Sequence, residues 1–311
     1  MAATSPNVGV LHRYRLFGLV IDSAIMLPEL REGDRDAPAD LTIDIGAIVH
    51  GEGVPSDPSS HLLVIDDVAR YMVRNGTSIT VDPAKSADDA DIRLFLLGTA
   101  MGIVLHQRGL MPLHANAIEI DGSAVAFMGP SGYGKSTLAD WFTRQGYRMV
   151  ADDVCAIRLE GGVPMVEPGI PRLRLWEDAL VARGSTTDGL TRSFSGDPAT
   201  RKFDFPLPVE AGTAAALPLA AVYLLDRGPA LRLERLSGLS AAQALFAHTY
   251  RGEYVRDAGS PRGHLEICMA IASAAPCFLA ERRWSLDDAG VDNLQLLDHA
   301  RRQIGADFQP N

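Results

Sequence analysis

The chain has little of what several protein classes require. Only three of its 311 residues are cysteine, Cys155, Cys268 and Cys277, and none forms a C-x-x-C pair. That argues against a cysteine metal knuckle and a disulfide framework and for a reducing cytosol; Cys155 is expected as a packed core residue. Basic charge is also short. Lys and Arg number 29 against 39 Asp and Glu, a formal net charge of −10, so there is no broad basic face for nucleic acid. Long apolar runs are missing. The longest, Leu94 to Leu105, is interrupted by Gly98 and Thr99 and is too short to span a bilayer, so it reads as a buried helix. The N-terminus lacks the basic, apolar, then small-residue order of a secretion signal. These absences point to a cytoplasmic protein with neither nucleic acid nor membrane as partner; a homo-oligomer is left open. What is present is ordinary: 47% hydrophobic and 22% charged residues, enough chain for one large or two medium globular domains.

One stretch, residues 111–154, stands out. Gly129-Pro130-Ser131-Gly132-Tyr133-Gly134-Lys135-Ser136 fits the phosphate-loop pattern G-x-x-x-x-G-K-[ST]. The apolar run Ala124 to Met128 reads as a buried strand before the loop, and Ser136 to Phe142 as a helix after it. That order turns free backbone N–H groups and a positive helix end onto a phosphate. Gly129, Gly132 and Gly134 let the backbone curl, with Ser131, Tyr133 and Thr137 completing the nucleotide cradle. Lys135 reaches the β- and γ-phosphates of ATP, and the Ser136 hydroxyl faces Mg²⁺.

The remaining pattern alternates strands and helices in a mixed α/β chain. Residues 1–85 read as a small, mainly antiparallel β unit: a strand over Tyr14–Ile21, another over Leu41–Ile45, and a hairpin turning at Asn75-Gly76. A helix starts at Ser86 and stops near Gly109. Two hairpins are expected in the second part, at Asp121-Gly122 and Gly161-Gly162. Ala221–Leu225 and Leu231–Leu236 read as a strand pair, and a helix capped by Ser240 follows. Residues 1–9, 51–60, 184–200 and 252–262 read as tail or loops.

The phosphate loop alone says only "nucleotide". Asp152 and Asp153 follow Lys135 by 17 and 18 positions, enough for a helix, a turn at Gly146 and a strand. The acids therefore arrive at the carboxyl end of the next strand, where open α/β sheets bind ligands. One carboxylate can hold Mg²⁺ and the other can accept a proton from an attacking hydroxyl, and their mutual repulsion pushes the two pKa values apart. His114 precedes Lys135 by 21 positions, at the start of the hairpin feeding the loop.

Leu113-His114, the phosphate loop and Gly146-Tyr147-Arg148-Met149-Val150-Ala151-Asp152-Asp153-Val154 together resemble the catalytic core of the HPr serine kinase/phosphorylase family. The resemblance covers residues 111–176. It implies a P-loop core of the phosphoenolpyruvate carboxykinase and HPr kinase type over residues 86–311, and an ATP- and Mg²⁺-dependent kinase. It further implies Asp153 as general base beside His114, Asp152 supporting metal or base, and Lys135 on the phosphates. The sequence departs from the family at Thr137, where Glu is usual, and only loosely matches its second signature at Glu167 to Trp176. There Glu167 is a candidate second metal ligand and Arg172 a phosphate clamp; Lys202 and Arg251 are further candidate clamps. The opening segment Tyr14 to Leu30 resembles short family members that accompany lasso-peptide biosynthesis and phosphorylate the precursor peptide on serine. The implied substrate is then a serine-bearing peptide or small protein. HPr itself, and a nucleotide-binding regulator with no acceptor, stand as alternatives.

Overall fold

The computed structural model describes residues 11–49, 59–194, 201–208, 211–255, 261–283 and 289–306. The expected tail at 1–9 lies outside these residues, as do most of the loop at 51–60 and parts of those at 184–200 and 252–262.

The chain opens with a hairpin, β1 (His12–Leu16) and β2 (Leu19–Ser23), where one strand was expected. The reason is local: Phe17 and Gly18 have φ of 51° and 76°, the two left-handed residues of a tight hairpin turn. A Cβ on Gly18 would sit 2.7 Å from the Glu167 carboxylate. Then follow β3 (Arg31–Glu32), β4 (Leu41–Ile45), β5 (Ser60–Ile65), β6 (Ala69–Arg74) and β7 (Ser78–Pro83). They form one seven-stranded sheet in the order β3-β1-β2-β4-β7-β6-β5. It is mainly antiparallel, as expected, with β4 parallel to both β2 and β7. Asn75 and Gly76, both at positive φ, make the anticipated turn.

The expected long helix is three pieces: α1 (Asp89–Phe95), a π-helical turn (Leu96–Ala100) and α2 (Met101–Gln107). Its cap is Asp88, whose carboxylate accepts from the Ala90 N–H, two residues beyond the expected Ser86. The helix shares a core with the seven-stranded sheet, joining Tyr71, Ile79 and Val81 to Leu96, Ile103 and Leu105.

The rest of the chain contributes β8 (Met111–Leu113), β9 (Ala115–Ile120), β10 (Ser123–Met128), α3 (Lys135–Arg144), β11 (Met149–Ala151), β12 (Cys155–Glu160) and β13 (Val163–Val166). Next come β14 (Arg172–Trp176), α4 (Glu177–Ala182), β15 (Thr191–Arg192), β16 (Lys202–Pro206), β17 (Leu217–Arg227) and β18 (Arg232–Leu236). The chain closes with α5 (Gly238–Ala247), α6 (Pro261–Ala274), β19 (Cys277–Arg282) and α7 (Ala289–Ala306). Strand β17 is the hub of a nine-stranded sheet. Its first residues pair with β13, and the remainder runs parallel to β10 and β19. The expected β17–β18 pair is not direct, because β19 lies between them and hydrogen-bonds to both. Helix α5 begins at Gly238, ahead of the expected Ser240 cap.

Alternation along β10 sorts two cores. Ala124, Ala126 and Met128 pack with α5 and α6; Val125 and Phe127 pack with α3 and α7. A strand buried on both faces reads as a continuous apolar run. All three cysteines are free and buried. No helix among the described residues is long and apolar enough to cross a membrane.

Candidate functional site

Strand register brings the candidate residues to one end of the nine-stranded sheet. β9 runs antiparallel to both neighbours, with Ala115 opposite Met128 and Ala117 opposite Ala151. The residue before β9, the loop after β10 and the residues after β11 therefore share one end of the sheet. Those are His114, Gly129 to Gly134, and Asp152-Asp153.

Gly129, Gly132 and Gly134 take φ of 152°, 81° and 79°. A Cβ on Gly129 would meet the Leu225 carbonyl at 3.0 Å, so glycine is required there. Ser131 and Gly132 are exposed and Tyr133 is half-buried. Helix α3 starts without a side-chain cap, leaving the first-turn N–H groups for an anion; Ser136 and Thr137 sit half-buried in that turn. The Lys135 ammonium is buried and donates to the carbonyls of Gly129 (2.7 Å) and Pro130 (3.2 Å). Burial pulls its pKa down to about 8, against the attraction of Asp153 and Asp152.

Asp153 turns the chain through φ = 69°, a conformation costly for a non-glycine residue and concentrated at functional sites. His114 Nδ1 lies 3.1 Å from the Asp153 carbonyl and 3.4 Å from its carboxylate. A carbonyl only accepts, so Nδ1 carries the proton. Burial lowers the His114 pKa, which favours the neutral ring with Nε2 as acceptor. Arg174 links the two acids: its guanidinium donates to Asp153 Oδ2 (2.9 Å) and its backbone N–H to Asp152 Oδ2 (2.9 Å). The two pKa values do diverge. Burial raises Asp152 to about 6, with Asp153 adding to the push. Burial also acts upward on Asp153, but Arg174, Lys202, His114 and Arg172 outweigh it and hold that carboxyl below its ordinary value.

Arg172 is half-buried, bonded to Asp204 at 3.0 Å, and its charge reaches Asp153. Lys202, on β16 opposite Trp176, acts electrostatically on Lys135, Asp152, Asp153 and His114. Arg251 lines a cavity of about 470 Å³ together with His114, Asp153, Arg174, Phe95 and Tyr250. Glu167 is engaged elsewhere. It is 5% exposed, ion-paired to Arg158 and covered by Gly18. Sequence reasoning missed Arg174, Asp204 and Tyr250. Arg174 did carry a signal: Arg172-Leu173-Arg174-Leu175 alternates as a strand, with both leucines packed on the α3 side and the arginines on the other face.

Among the described residues no group of three or more His, Cys, Asp or Glu side chains is arranged to hold a metal. Mg²⁺ does not need such a cage when one or two carboxylates and the phosphates hold it. Asp152 Oδ1 is buried with no hydrogen-bond partner, which fits a cation ligand, and Ser136 is the hydroxyl of the loop. A second cavity, about 600 Å³, lies between the 28–32 segment, α1 and β14 to β16, and adjoins the acids through Arg172 and Asp204.

Among solved structures, the chain is similar to the HPr(Ser) kinase/phosphatase of Coxiella burnetii. The match has 14% identity and a TM-score of 0.33, covering 63% of this chain and 94% of that one. No family model matches the chain, and no curated protein does. So distant a likeness leaves the function to be argued from the site itself.

Proposed function

We propose that the protein is an ATP- and Mg²⁺-dependent kinase that transfers the γ-phosphoryl group to a serine hydroxyl of a peptide or small protein. The observation that carries this is the His114–Asp153–Arg174 cluster at the same end of the sheet as the phosphate loop, with Asp153 lining a cavity. Phosphoryl transfer asks for positioning and charge stabilisation more than covalent chemistry. The first-turn N–H groups and Lys135 bind the phosphates. Asp152 and Ser136 would hold Mg²⁺, whose charge neutralises phosphate oxygens. Asp153, ionised and reachable from the cavity, accepts the hydrogen bond of the incoming hydroxyl and takes its proton late in transfer. Arg174 fixes both carboxylates. The larger cavity, next to Arg172 and Asp204, is the natural place for residues flanking the acceptor. A lasso precursor is the choice within this class that the opening segment suggests.

The test is γ-labelled ATP with a panel of serine peptides and HPr, using wild type, Lys135→Met and Asp153→Asn. Label on peptide that both substitutions remove supports the reading. ATP binding with no labelled acceptor in any lane supports a nucleotide-binding regulator instead, and near-normal turnover by Asp153→Asn removes the base assignment.

A further inference from the structure

Two arginines that the proposed chemistry does not use grip the phosphate loop from behind. Arg282, the last residue of β19, is 5% exposed. It donates to the Gly134 carbonyl at 3.3 Å and to Asn293 Oδ1 at 3.1 Å, and its Nε is buried with no partner. Among the described residues no carboxylate lies within ion-pair distance of it. Asp292 is near enough to be felt, but its oxygens accept from the Arg283 backbone and guanidinium. Its register partner on β17 is Arg227, which donates to the Gly132 carbonyl at 3.3 Å and lies 4.9 Å from the Tyr133 ring centre.

This arrangement is unfavourable by itself. The Arg282 guanidinium is buried without an ion pair and its Nε has no acceptor, and a buried cation so placed is costly. Its geometry is nonetheless directed: the guanidinium groups hold the carbonyls of Gly132 and Gly134. A phosphate loop works only if its carbonyls face away from the anion and its N–H groups face it.

We propose that Arg282 and Arg227 are positioning residues of the nucleotide site, holding the loop carbonyls outward, with Arg282 also supplying buried positive charge that a bound nucleoside polyphosphate compensates. The inference rests on the nucleotide-binding part of the function above and not on phosphoryl transfer.

The signature is opposite in sign for stability and for binding. Arg282→Met keeps length and removes charge. It is expected to leave the thermal midpoint of the nucleotide-free protein equal or higher, and to weaken Mg-ADP binding by calorimetry about tenfold, the loss of a charge-assisted contact. Arg282→Lys should recover part of that affinity. An Mg-ADP affinity within about twofold of wild type, or a lowered midpoint with Lys losing as much as Met, would make Arg282 a packing residue and overturn the proposal. Should Arg282→Met not fold, the exposed partner decides: Arg227→Gln should weaken Mg-ADP about fivefold at unchanged midpoint, as for a surface charge, and unchanged affinity there overturns it. A wild type that binds Mg-ADP yet labels no acceptor fails as a kinase with this inference intact; one that binds no Mg-ADP fails both.

Discussion

Between Asp152 and Asp153 the chain begins a left-handed turn, and the two carboxylates end in different surroundings. Asp152 carries a buried oxygen without a partner, while Asp153 meets Arg174 and His114. For Asp152 the folded pKa, pushed up to about 6 by burial, lies above the ordinary aspartate range. The folded state thus holds the proton more tightly, and its stabilising effect is complete below about 4 and lost as pH rises through about 6. Asp152→Asn should therefore raise the stability of the nucleotide-free protein at pH 7 by about 2–3 kcal/mol in denaturant titrations, while abolishing Mg²⁺-dependent ATP turnover. Asp153 has the reverse sign: its contribution is present above the ordinary carboxyl range and lost as pH falls through the depressed value. On kcat/KM for ATP, ionisation of Asp152 near 6 and deprotonation of Lys135 near 8 predict a bell-shaped profile. Lys135→Met should remove the alkaline limb along with most of the activity, and an unmoved limb would assign it to another group.

The π-helical turn at Leu96–Ala100 is the element that departs most from its sequence expectation. Such turns are one-residue expansions of a helix, frequent at functional sites, and this one lies beside the cavity that holds Asp153: Leu94, Phe95 and Thr99 all line it. Tyr250 closes over the same helix. A Cβ on Gly102 would meet its ring at 3.0 Å, and one on Gly98 its hydroxyl at 3.2 Å. Gly102→Ala would ordinarily favour a helix by about 1 kcal/mol. Here it must displace the Tyr250 ring, so the acceptor KM is expected to rise severalfold while Mg-ATP affinity stays unchanged; a change in the second alone would place Tyr250 on the nucleotide side. Strand β14 is the second such element. Its fully buried Leu173 fixes the register that points Arg174 at the acids, so Leu173→Ala should cost about 2–5 kcal/mol and lower kcat in the same variant.

Across the whole molecule the N-terminal sheet and the phosphate-loop body are not separable by packing. Val154, Ala156 and Ile170 belong to the same apolar cluster as Leu16, Ile21 and Tyr71. The Phe17 N–H donates to the Pro168 carbonyl at 3.0 Å, and Arg31 donates to the carbonyls of Gly212 and Thr213. A chain beginning at residue 86 would expose Leu96, Leu97 and Val104, all now buried. It is expected to aggregate or to lose its cooperative melting transition, whereas a soluble, cooperatively melting and ATP-binding truncation would show the second part to be an autonomous domain.

The sequence by itself determined what depends on neighbours along the chain. Asn75-Gly76, Asp121-Gly122 and Gly161-Gly162 specify their turns because left-handed residues are a local requirement, and Gly129, Gly132 and Gly134 specify the curl of their loop for the same reason. The 17-residue step from Lys135 to Asp152 was legible because one helix and one strand have fixed lengths. The rest turned on partners distant in sequence. Leu231–Leu236 looked like the mate of Ala221–Leu225 until β19 arrived from residue 277 to lie between them. Glu167 is a ligand candidate by sequence, and only the fold shows that Arg158 and Gly18 lie against its carboxylate. Arg174, Tyr250 and Arg282 carry no motif, and their place at the site comes from strand register and helix packing, which only the assembled core decides.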